Sequence, residues 1–246
     1  MGRGASNLER LGDRRNAGVG VMHIHSDLLD FSGETRLFPL PKVVLFPHVI
    51  LPLHIFEPRY RQMTEDAIKN DHLITMVQSR PIAPGTPCQE PVPIYQVGCV
   101  GRIVQYERLA DGRFHLLLLG CKRVRLVREI DSSKLYRTAE ASLLEDQEPV
   151  LPLDSLRQEL IRLFLEILKQ NNDLDSDLAR LLHSNLSLGS LTDIMAHAID
   201  APASVKQSLL EEVHVADRVT VLLEMLRGRQ DPQSGPRRFP QPFSLN

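Results

Sequence analysis

The stretch from Leu37 to Met63, LFPLPKVVLFPHVILPLHIFEPRYRQM, constrains the fold more than any other part of the chain. It is rich in Val, Ile and Leu, yet Pro39, Pro41, Pro47, Pro52 and Pro58 interrupt it at short intervals. A membrane-spanning helix needs roughly 20 uninterrupted apolar residues, and a proline inside a helix removes a hydrogen bond and clashes with the preceding turn. Each proline also drives its predecessor toward extended geometry. The run therefore predicts short buried strands at Val43–Phe46 and Val49–Leu53, joined by tight bends. Glu57-Pro58 predicts a helix start, because proline at the first helical position lacks only an N–H that would have no partner there.

The flanking sequence supports a packed, mixed domain. With 246 residues and 42% hydrophobic side chains, the chain has enough apolar surface for a core, which excludes a wholly disordered protein. A net charge of −2 gives no global attraction to nucleic acid or anionic lipid. Cys88, Cys99 and Cys121 are odd in number and widely spaced, unlike a disulfide scaffold or zinc ribbon. They fit a reducing compartment. Arg3, Arg10, Arg14 and Arg15 precede no apolar core of a secretory signal, so a cytoplasmic protein is expected.

Texture divides the chain into four parts: a flexible arm at 1–34, a strand-rich region at 35–148, a helical region at 149–228 and a flexible, proline-rich tail at 229–246. After Pro58, Tyr60, Met63, Ala67 and Ile68 share one helical face, and Asn70 is the expected left-handed terminator. His72 to Gln78 reads as a buried strand, followed by a loop carrying Pro81, Pro84, Gly85, Pro87, Pro91 and Pro93. Asp111-Gly112 between two apolar runs predicts a hairpin. Gly98, Gly101 and Gly120 within those runs predict bulges or bends, which favour a small barrel over a flat sheet. Further on, Leu153, Leu156, Leu160, Ile161, Phe164 and Leu168 trace one helical face, and Leu178, Leu181 and Leu182 a short second helix. Ser190 and Asp193 suggest a capping box, Pro202 opens another helix, and Val215 to Leu226 form a last one ended by Gly228.

The box Leu51-Pro52-Leu53-His54-Ile55-Phe56-Glu57-Pro58-Arg59-Tyr60, at the end of the proline-punctuated run, resembles the opening of the Lon protease N-terminal domain family. The hairpin VGCVGRIVQYERLADGRFHLLLLGCKRVRLV and the closing segment DIMAHAIDAPASVKQSLLEEVHVADRVTVLLEML resemble later parts of that family, so the likeness spans about Arg36 to Arg227. It implies an α+β fold: a PUA-like β-barrel, mostly antiparallel with one helix after the first strands, followed by a helical bundle. It also implies a stand-alone, non-catalytic module that recognises unfolded or tagged polypeptides, or acts as an adaptor or regulator in ATP-dependent proteolysis beside a separate protease or chaperone.

Residue chemistry agrees with a protein that catalyses nothing. No Gly-rich loop ending in Gly-Lys-Ser/Thr is present to cradle ATP phosphates, and no Ser–Lys protease domain is expected after the helical region. Ser133-Lys134 and Ser204-x-Lys206 have spacings that suit surface residues rather than a catalytic pair. His23 and His25 lack the further ligands that a metal site needs. A nucleophile built from His48, His54 or His72 with Cys88 or Cys99 is required by no spacing in the chain. No cofactor or metal is expected, and neither a membrane nor nucleic acid is the expected partner. The candidate polypeptide-binding residues are Ile55, Phe56, Arg59, Tyr60 and Arg61; the competing role for this box is core packing. The alternative is RNA binding through the basic strand Lys122, Arg123, Arg125 and Arg128, opposed by the absence of Trp and the few aromatics for base stacking.

Overall fold

The computed structural model of the protein describes Leu28 and residues 31–82, 91–171 and 176–229. His23, His25, Cys88, most of the expected arm and the tail beyond Arg229 lie outside the described residues. The described residues from Phe31 onward belong to one compact unit. Its elements run β1 (Glu34–Leu40), β2 (Ile50–Ile55), α1 (Pro58–Lys69), β3 (Leu73–Gln78), β4 (Val97–Arg108), β5 (Phe114–Ile130), β6 (Thr138–Leu143), α2 (Asp154–Gln170), α3 (Ser176–Leu182), α4 (Leu188–Ala198), α5 (Ala203–Glu211) and α6 (Val215–Arg229). The expected α+β class holds: one mixed sheet of six strands precedes a helical region.

The sheet order is β2-β5-β4-β3-β1-β6, with a further pairing of β5 to β6. All pairs are antiparallel except β1 with β3. The long β5 makes this possible. β4 occupies one of its edges, while β2 takes the first half of the other, at Phe114–Leu119, and β6 the second half, at Val124–Ile130. Pairings thus run from β5 through β4, β3, β1 and β6 back to β5.

The proline-rich run folds differently from the expectation in one respect. Val43–Phe46 is not a strand; the first strand forms earlier, at Glu34–Leu40, with Pro39 beside Val77 in the parallel pair. Val44, Leu45 and Phe46 are buried without entering a ladder, because their segment crosses the face of β5 at Gly120. His48 donates its N–H to the Gly120 carbonyl at 2.8 Å, and Gly120 donates to the Val49 carbonyl at 2.8 Å. A Cβ at Gly120 would collide with the Phe46 carbonyl, so only glycine permits this crossing.

Local sequence signals explain the remaining boundaries. Pro58 opens α1, which buries Tyr60, Met63, Thr64 and Ala67. Asn70 does not adopt the expected left-handed form, with φ −119°; His72, at φ 60°, makes the reversal into β3. The β4–β5 hairpin closes over Ala110-Asp111-Gly112, with Gly112 at φ 82° and Leu109 N–H donating to the Arg113 carbonyl at 2.9 Å. The cap of α4 is Ser187, whose hydroxyl accepts from Ser190 N–H at 3.0 Å. Asp193 lies inside that helix and caps nothing. α6 continues one residue past Gly228.

The apolar face of α2 buries Leu160, Ile161, Leu163, Phe164, Ile167 and Leu168, each side chain contributing about 1.5–3 kcal/mol relative to exposure. α2 packs on α6, and α5 reaches β4, where Gln207 donates its side-chain N–H to the Val97 carbonyl at 3.0 Å. One continuous core joins the sheet, the 44–49 crossing and the bundle.

Candidate functional site

A groove of about 630 Å³ opens where the end of β1, the start of α1 and the segments flanking residues 79–82 and 91–92 meet. Leu40, Phe56, Tyr60, Ile82, Val92 and Leu135 line it with apolar surface. Phe56, Ile82 and Leu135 are 40%, 37% and 63% exposed, an unusual outlay of large apolar side chains within one concavity. Pro39, Pro41, Pro81 and Pro91 form more of the wall, with Arg59, Arg80 and Arg137 around them.

Each arginine is positioned by a neighbour. Arg59 donates from Nε to Glu57 at 2.9 Å and lies over the Tyr60 ring, 4.7 Å from its centroid. Arg137 is paired with Glu129 and donates to the Val92 carbonyl at 2.7 Å, which fixes the 91–93 segment against the sheet. Arg80 stacks 5.3 Å from the Tyr95 ring centroid. Behind the groove Tyr136 donates its hydroxyl to Asp66 at 2.8 Å. Burial and that bond to Asp66 push the phenol up to about 12. Asp66 is itself held low: burial works against ionisation, but bonds from Lys134 and Tyr136 outweigh it.

The five candidate binding residues separate in space. Phe56, Arg59 and Tyr60 line the groove. Ile55 does not; it is core at 1% exposure, paired across the sheet with Phe114. Tyr60 is largely buried at 7% exposure and packs on Phe38, ring centroids 4.5 Å apart. Arg61 faces elsewhere, its guanidinium lying against Gly112 of the hairpin turn. The alternation explains this, since successive positions around the β2–α1 junction face core, groove and hairpin in turn. Arg80, Ile82, Leu135 and Arg137 carried no signal in the sequence, because three segments distant along the chain assemble them.

The basic strand does not form the continuous strip that the alternative, RNA binding, would need. Arg123 is withdrawn to 1% exposure, paired in a two-pronged contact with Asp193 of α4 and bonded to Asp146 at 3.2 Å. Its Nε donates to the Leu210 carbonyl at 2.9 Å. Burial alone would weaken its proton affinity, yet attraction to Asp193 and then Asp146 raises it. The fully buried Arg218 of α6 completes the network, donating to Asp146 at 3.0 Å. Lys122 pairs with Glu145, Arg128 with Glu140, and Arg125 is exposed. With Arg123 internal and Lys122 and Arg128 each paired with a carboxylate, the strand is left with Arg125 as its exposed charge, which offers little to a phosphate backbone.

Among the described residues, Cys99 is not set up as a nucleophile. Burial pushes the Cys99 thiol well up, reinforced by neighbouring Cys121, whereas the reactive species is the thiolate. His48 and His72 hold positive-φ turns. Lys134 pairs with Asp66, and Lys206 donates to the His197 carbonyl. Among the described residues, the one group of three or more His, Cys, Asp or Glu close enough for a metal is Glu212, His214 and Asp217 on the surface of the bundle. No helix among them is long and apolar enough to cross a membrane.

The fold matches solved structures closely. The N-terminal domain of the Mycobacterium avium complex Lon protease superimposes with a TM-score of 0.61 at 17% identity, covering 79% of this chain and 98% of that one. A Lon N-terminal domain protein from Xanthomonas campestris gives 0.55 at 23% identity, covering 78% and 97%. Residues 34–228 match the model of the ATP-dependent protease La (LON) substrate-binding domain, and the chain belongs to that family. Among relatives, the Lon protease of Xanthomonas oryzae pv. oryzae is 28% identical over 84% of this chain, and that of Azorhizobium caulinodans 25% identical over 77%. The chain spans only 24% and 22% of their respective lengths. The match is to the substrate-binding domain and not to the ATPase or protease parts.

Proposed function

We propose that this protein binds extended, unfolded segments of other polypeptides in the groove lined by Phe56, Tyr60, Ile82 and Leu135. The observation that carries this reading is the concentration of exposed, large apolar side chains in one concavity. Such a surface gains by removing a partner's apolar side chains from water, and arginines stacked on rings add polar contacts at low conformational cost. Family membership supports the same role, as does the name of the family, a substrate-binding domain. In this reading the strands of 35–148 form a PUA-like barrel, supported by the return pairing of β6 to β5, and 149–228 a helical subdomain fastened to it by Arg123. Delivery of captured or tagged segments to a separate protease or chaperone, as an adaptor or regulator of ATP-dependent proteolysis, is the cellular role this binding would serve.

The test is fluorescence anisotropy of a labelled, permanently unfolded carboxymethylated polypeptide with the native chain and Phe56→Ala. Losing the ring should weaken binding about tenfold, the scale of an aromatic anchor. Binding should survive 0.5 M salt, which is roughly where exposed charge contacts are screened out. Equal affinity of the native and Phe56→Ala proteins, or binding abolished by salt, would overturn the reading.

A further inference from the structure

The three arginines around the groove are not equivalent. Arg59 is paired with Glu57 and Arg137 with Glu129. Arg80 has no carboxylate partner among the described residues. Its backbone N–H donates to the Pro93 carbonyl at 2.8 Å, and its guanidinium lies on the Tyr95 ring. Stacking leaves the planar edge of a guanidinium, with its donors, directed away from the ring and open to a planar anion. Among the described residues the groove therefore has apolar lining, two cations paired with carboxylates, and one that rests on a ring without a carboxylate.

Resting on the binding role proposed above, we infer that Arg80 makes this groove selective for extended segments in which an Asp or Glu side chain neighbours the apolar anchor. A side-chain carboxylate is favoured over a chain terminus by the walls. Capture of an α-carboxylate uses several converging backbone N–H groups, and Pro39, Pro41, Pro81 and Pro91 supply none. A lone guanidinium matches a lone carboxylate, which it grips through two parallel N–H bonds. Charge complementarity then sets which unfolded segments are held, while Phe56 and Leu135 set how tightly any of them is held.

The experiment uses three labelled peptides with the same aromatic and aliphatic core. One has an Asp beside the core, one has Asn there, and one has Asn with a free C-terminal carboxylate; the first two are C-terminally amidated. With the native chain at low salt, the Asp peptide should bind about fivefold tighter than the Asn peptide, the scale of one partly exposed ion pair. Arg80→Gln should reduce that ratio to about one, and Arg80→Glu should invert it. Phe56→Ala should weaken both peptides and leave the ratio intact. A ratio that persists in Arg80→Gln, or a preference that follows the terminal carboxylate instead, overturns the inference while the binding role stands. Failure of every peptide to bind the native chain, with unfolded polypeptide also unbound, sinks the binding role itself. Arg80 is exposed, so its replacement should leave the melting curve unchanged, and that control separates lost selectivity from lost folding.

Discussion

Replacing Asp193 with Asn tests the claim that a buried charge network fastens the helices to the sheet. The side chains of Asp193 and Arg123 are 1% and 2% exposed. The carboxylate accepts from both terminal nitrogens of Arg123, and Arg218 Nη1 stands 3.7 Å away. Asn preserves the shape but removes the charge and turns an N–H₂ toward one guanidinium nitrogen. Two buried cations would then share Asp146 alone. Removing one partner of a buried pair costs about 3–5 kcal/mol, mostly the penalty of the charge left behind. Because Asp146 remains, ~3 kcal/mol is expected. With a urea dependence of about 2–3 kcal/mol per molar, the midpoint should fall by roughly 1–1.5 M, read by circular dichroism. Arg123→Met combined with Asp193→Leu should recover most of the loss, since a well-packed apolar pair often equals a buried ion pair. A loss below about 1 kcal/mol, or a double variant whose cost is the sum of the singles, would refute the reasoning.

Two more outcomes follow from the packing. His197 on α4 is held down to about 4 by burial and by Lys206, against a backbone bond to Val44. Its folded value lies below the unfolded 6.5, so the unfolded chain takes up the extra proton between them. Stability should therefore be complete above pH 6.5 and fall as pH drops toward 4, by at most roughly 3 kcal/mol; thermal melts across that window should flatten in His197→Phe, and an unchanged slope would count against the assignment. Gly120→Ala should cost roughly 1–3 kcal/mol by forcing the Phe46 carbonyl off β5, and a variant melting with the native chain would show that the crossing is not tight.

Several elements were legible because their signals are local. Pro58 opening α1, the Asp111-Gly112 hairpin and the apolar stripe of α2 each depend on side chains within one or two turns of chain. Val43–Phe46 misled for a definite reason. Apolar, β-branched sequence specifies burial, and burial it has, but its hydrogen-bonding neighbours are set by Gly120 on a strand some 70 residues away by sequence number. Arg123 misled in the same way. Its basic neighbours suggest a solvated face, whereas its environment comes from Asp146 and Asp193, which sequence alone does not bring near.

The candidate site divides along that line. The sequence by itself determined the β2–α1 junction that carries Phe56, Arg59 and Tyr60, because proline geometry and helix initiation act over a few residues. It also determined the family, through a long run of unusual residues that stays readable whatever the chain folds against. Only the tertiary structure decided that Ile55 turns inward, that Arg61 lies on the hairpin, and that Arg80, Ile82 and Leu135 converge on Phe56. A groove is a property of separated segments brought together by core packing, and the free energy that assembles them is spread over the whole core rather than written at the residues that line it.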